Sequence, residues 1–78
     1  MGMSIKNWEE VCEYPSTKTS EISYIRHRHI DRISVIETED DTFSVLIYAL
    51  NDTYLHSVHD TDKVAIKTLE ELVKTIEQ

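Results

Sequence analysis

The chain has 78 residues, a formal net charge of −7, one cysteine, one glycine and one proline. A single cysteine excludes an internal disulfide, and a single glycine excludes a glycine-rich phosphate loop. The acid excess argues against direct nucleic-acid binding, which draws its affinity from Lys and Arg on phosphates. No run approaches the roughly 18 apolar residues of a membrane span, and residues 1–20 lack a signal-peptide core. The chain therefore reads as one small cytoplasmic domain, 1–78, without membrane contact.

Residues 1–14 are expected to form an N-terminal helical segment. Asn7 with Glu10 three positions on fits a capping box, and Trp8, Val11 and Cys12 follow on one side. Pro15 ends it, and residues 15–21 form a polar linker. A sheet is expected over 22–58. Ile22–His29 alternates weakly as a strand, and Asp31 marks a kink. Arg32–Thr38 is a strand by its β-branched Ile33, Val35 and Ile36. After an acidic turn at 39–42, Phe43–Leu50 is apolar on both faces: Phe43, Val45, Ile47 and Ala49 on one, Leu46, Tyr48 and Leu50 on the other. Asn51-Asp52 suits a two-residue hairpin turn, which would set Ala49 opposite Tyr54, Ile47 opposite His56 and Tyr48 opposite Leu55.

A C-terminal amphipathic helix over 60–77 starts near Thr61, with Ala65, Leu69, Leu72 and Ile76 as its buried stripe and Ile66 and Val73 beside it. The expected fold is α+β: a short N-terminal helix, a three- to four-stranded antiparallel meander, and the C-terminal helix packed on one sheet face. One helix covers one face, so the second apolar face of Phe43–Leu50 calls for a protein partner, which a second copy of the chain would supply.

The charge is uneven. Residues 37–78 carry ten acids against three lysines, whereas Arg26, Arg28 and Arg32 cluster with His27 and His29. The arginines are candidates for holding an anion or a partner, since guanidinium forks bind carboxylate and phosphate bidentately. The simpler reading is a charged edge strand, or pairing with the acidic tip of Glu37, Glu39, Asp40 and Asp41. That tip is in turn a candidate acidic surface.

His27-x-His29 on a strand would send both imidazoles to one side, but the spacing matches no zinc signature, and no metal centre or cofactor is assigned. His56 and His59 would face opposite sides of a regular strand. Cys12 stands among Glu9, Glu10 and Glu13, which disfavours a reactive thiolate. No catalytic residue is assigned. Tyr48, Leu46, Leu55 and Trp8 are the interface candidates. These features describe a small acidic, non-enzymatic interaction or regulatory module that self-associates as a homodimer. The alternative is an inhibitor of the kind found in phages or mobile elements, which occupies a nucleic-acid-handling complex through its acidic surface.

Overall fold

A computed structural model of the protein describes residues 6–14 and 22–77. The chain runs through β1 (Trp8–Glu13), β2 (Ile22–Arg26), a 3-10 turn (His27–His29), β3 (Ile30–Glu37), β4 (Phe43–Ala49), β5 (Asp52–His59) and α1 (Asp62–Ile76). It is an α+β fold: a five-stranded antiparallel sheet in the order β2-β1-β5-β4-β3, with one C-terminal helix.

Two elements differ from the sequence reading. Residues 8–13 form a strand and not part of a helix. Their side chains alternate, with Val11 buried and Glu10 exposed, and their backbone pairs with β2 along its length and with β5 at Cys12 and Glu13. The capping-box pattern is local and weak, and so short a helix is marginal in water, so pairing on both edges prevails. The sheet is also not a meander, because β1 is inserted between β2 and β5. The proposed linker at 15–21 lies outside the described residues.

The strand order requires the sheet to curl. β2 and β3 are its two edges, yet only His27–His29 separate them. Four steps of extended chain reach about 14 Å. The edges of a flat five-stranded sheet stand about 19 Å apart. The sheet is rolled so that Val11 and Ile25 share one core with Val45, Ile47 and Ala49, and Ile33 and Val35 of the far edge pack against the same cluster.

The helix lies on the concave side. Thr61 caps it by accepting a hydrogen bond from the Val64 amide at 3.3 Å. α1 contacts β3, β4 and β5, and Ala65 and Leu72 enter the core. Leu69 is only half-buried, and Ile66 and Val73 are exposed, so the buried stripe is narrower than the pattern predicts. No helix among the described residues is long and apolar enough to cross a membrane.

The β4–β5 hairpin turns at Leu50-Asn51, one residue earlier than expected, and both residues have positive φ (56° and 66°). Ala49 faces Asp52, Ile47 faces Tyr54 and Leu46 faces Leu55. This register matches large apolar side chains across the strands. The expected one would have set His56 against Ile47 in the core. Packing therefore overrides the turn preference of Asn-Asp. His56 is the extra residue of a bulge, since Val45 pairs with Ser57. A second irregularity falls at Asp31, between Ile30 and Arg32, where the sequence marks a kink.

Candidate functional site

The 3-10 turn brings the cationic cluster to one end of the fold. Its start is fixed by the His27 amide, which donates to the Asn7 carbonyl at 2.9 Å. Asn7 has φ 70°, a conformation asparagine tolerates. Arg26, His27 and Arg28 line a cleft of about 240 Å³ with Asn7 and with Ile76 from the end of α1. His27 and His29 lie in this turn and not on a strand, so the alternation that would send both imidazoles to one side does not apply.

The arginine and aromatic candidates meet. Arg26 sits directly opposite Trp8 and its guanidinium lies 4.5 Å from the ring centre. Arg32 sits opposite Tyr48, 4.4 Å from that ring. Both distances are within the range of a cation–π contact. Arg32 is thus tied to the convex face of β4 and does not line the cleft of Arg26 and Arg28.

The acidic tip occupies the other end of β3. Glu37, Glu39, Asp40 and Asp41 are all exposed around the β3–β4 turn. Seven steps along β3 separate Glu37 from Ile30, about 23 Å at strand rise. Intramolecular pairing between tip and arginine cleft is therefore excluded by distance. The only ion pair among the described residues is His27 with Glu9, Nε2 to Oε2 at 3.9 Å. Glu9 is on the same side of β1 as Val11, facing inward. Burial raises its carboxyl above the ordinary range, with His27 pulling the other way.

The interface candidates lie mostly on the convex side, facing away from the core. One in-register row crosses four strands there: Ile22, Cys12, Leu55 and Leu46. Its exposure rises toward β2. Leu46 is 2% exposed and Leu55 and Cys12 are intermediate, whereas Ile22 is 55% exposed. Tyr24, also on β2, is exposed and donates a hydrogen bond to Glu10 Oε1 at 3.2 Å. Leu46 is therefore closed off, while Tyr48, Trp8 and Leu55 keep part of their surface accessible.

One cluster escapes sequence reasoning. Ser57 Oγ lies 2.9 Å from His56 Nδ1 and 2.8 Å from His59 Nε2. On a regular strand the two histidines would face apart; the bulge at His56 resets the alternation and joins them through one hydroxyl. The spacing His-Ser-x-His is the only signal in the sequence, and it means nothing without the bulge. A serine hydroxyl has one proton, so it donates to one imidazole and accepts from the other. A nucleophilic serine needs a base whose second nitrogen is oriented by another group. Neither imidazole has an acid partner among the described residues. The arrangement pins the bulge; it does not have the geometry of a charge-supported dyad. Burial, and then the neighbouring His59, hold His56 below the ordinary histidine range.

No group of three or more histidine, cysteine or acidic side chains converges on a metal position among the described residues. Comparison with protein-family models, with curated proteins and with solved structures finds no match to this chain.

Proposed function

We propose that the protein is a non-enzymatic interaction module that self-associates through the outer edge of β2. One observation carries this reading. β2 is an edge strand whose convex face presents Ile22 and Tyr24, 55% and 44% exposed, and it has no lysine or proline within it. Edge strands that remain monomeric are usually guarded by charged side chains, proline or a bulge; the one charge on β2, Arg26, stands at its end and is drawn onto the Trp8 ring. Antiparallel pairing of β2 with its own copy gives a two-fold contact, in which backbone hydrogen bonds supply affinity and the exposed side chains supply selectivity.

Two copies each carrying −7 repel one another. Salt screens that repulsion, so self-association should strengthen as ionic strength rises. Amide hydrogen exchange tests the location. Protection of Ile22–Arg26 should increase with protein concentration while the edge amides of β3 stay constant. Concentration-independent exchange at β2 contradicts the proposal.

The exposed acidic tip supports a second reading, an acidic surface presented to a basic groove of another protein. Changing Glu37, Glu39, Asp40 and Asp41 to their amides separates the two. It leaves β2-mediated pairing intact but abolishes a contact made by the tip.

A further inference from the structure

We propose that the cleft between the 3-10 turn and the end of α1 binds an oxyanion, a phosphate or carboxylate group, held by the guanidinium forks of Arg26 and Arg28. Both arginines line the same cleft of about 240 Å³, with His27 and Asn7 beside them and Ile76 as an apolar wall. The volume accommodates a small anionic group. In a chain with 15 acidic residues, neither guanidinium has a carboxylate within 4.0 Å among the described residues. Glu9, which meets His27, faces inward and is not among the cleft residues.

The cleft is also preorganised. Arg26 rests on the Trp8 ring at 4.5 Å, which restricts one fork before any ligand arrives. The His27 amide bonded to Asn7 fixes the backbone between the two arginines. Two planar forks, one of them resting on an aromatic ring, match the paired oxygens of phosphate or carboxylate better than mobile lysines would. Arg32 supplies an internal control, since it is stacked in the same way on Tyr48 but lines no part of the cleft.

The test is an NMR titration of the full chain with inorganic phosphate and, separately, with sodium acetate, each at constant ionic strength set by chloride. At least one anion should give saturating shifts confined to Asn7, Arg26, His27, Arg28 and Ile76. Phosphate alone would identify a tetrahedral ligand, acetate alone a planar one, and either supports the site. The double variant Arg26→Gln, Arg28→Gln should weaken binding by about tenfold or more, because both charge-assisted forks are lost. Arg32→Gln should bind as the unmutated protein does, and both variants should keep native amide dispersion because these side chains are exposed. The site is disproved if neither anion saturates below about 50 mM, or if the double variant responds as the unmutated protein does.

Discussion

The guanidinium of Arg26 lies 4.5 Å from the centre of the Trp8 ring, and the two residues are directly opposed across β1 and β2. The same relationship recurs at the far edge, where Arg32 stands opposite Tyr48. Cross-strand neighbours are the unit of sheet stabilisation, so each pair couples an arginine's position to an aromatic's. Arg26 is thereby held at the Trp8 ring beside the 3-10 turn, and Arg32 at the Tyr48 ring on β4. Three arginines within seven residues of sequence thus belong to two different places in the fold.

The helix is anchored at Ala65 and Leu72 more than along the rest of its stripe. Leu72 is 6% exposed within the core, whereas Leu69 is half-buried. Leu72→Ala should cost about 2–5 kcal/mol in a denaturant melt, and Leu69→Ala clearly less, because a partly exposed site leaves a smaller cavity. Equal losses would place both side chains at the same depth.

The hairpin turn stores strain at Leu50. A bulky residue at φ 56° pays the left-handed penalty of roughly 1–2 kcal/mol, and Leu50 is 57% exposed, so it recovers little by burial. Leu50→Asn should raise stability by about 1 kcal/mol, since asparagine enters this region readily. A destabilised variant would show that Leu50 makes a contact worth more than the strain.

The bulge should give way in mild acid. His56 has its pKa lowered in the folded state, so the unfolded chain takes up its proton first and folding loses stability as pH falls through the ordinary histidine range, near 6.5. Urea melts from pH 7.5 to 5 should show this decline, and His56→Gln should flatten it. A variant with an unchanged profile would assign the decline to another group.

Glu9 works in the opposite direction. Its folded pKa is raised, so the stability linked to its protonated form is present below the ordinary glutamate range and is lost as pH rises through the folded value. Glu9→Gln should therefore stabilise the protein at pH 7, with the gain vanishing near pH 4. A loss at pH 7 would mean that the pairing with His27 outweighs the burial of the carboxylate.

Much of this architecture was legible in the sequence, where the signal is periodic and long. The alternation of Phe43–Leu50 and the stripe of α1 identify β4 and the helix. The kink at Asp31 could be read from one residue. Residues 8–13 were not legible as a strand, because Trp8, Val11 and Cys12 fit a helical face while adjacent Val11 and Cys12 break an apolar alternation, and only pairing with Ile22–Arg26 reveals the strand. The hairpin register was lost for the same reason: Ile47 opposite Tyr54 is a tertiary preference that overrules the Asn-Asp turn. At the candidate site, the cationic residues could be picked out but not sorted, since Arg32 separates from Arg26 and Arg28 only once the 3-10 turn ends and β3 begins. The His56–Ser57–His59 cluster depends on an inserted residue that no periodicity marks.

The central claim is self-association through β2, and light scattering behind size exclusion tests it most directly, on the unmutated protein and on Tyr24→Lys at about 100 µM. Tyr24 is 44% exposed, so the substitution should leave the fold intact and place a charge on the proposed contact. A dimer for the unmutated protein and a folded monomer for Tyr24→Lys is the predicted result. A monomeric unmutated protein, or a variant that dimerises equally well, would contradict it.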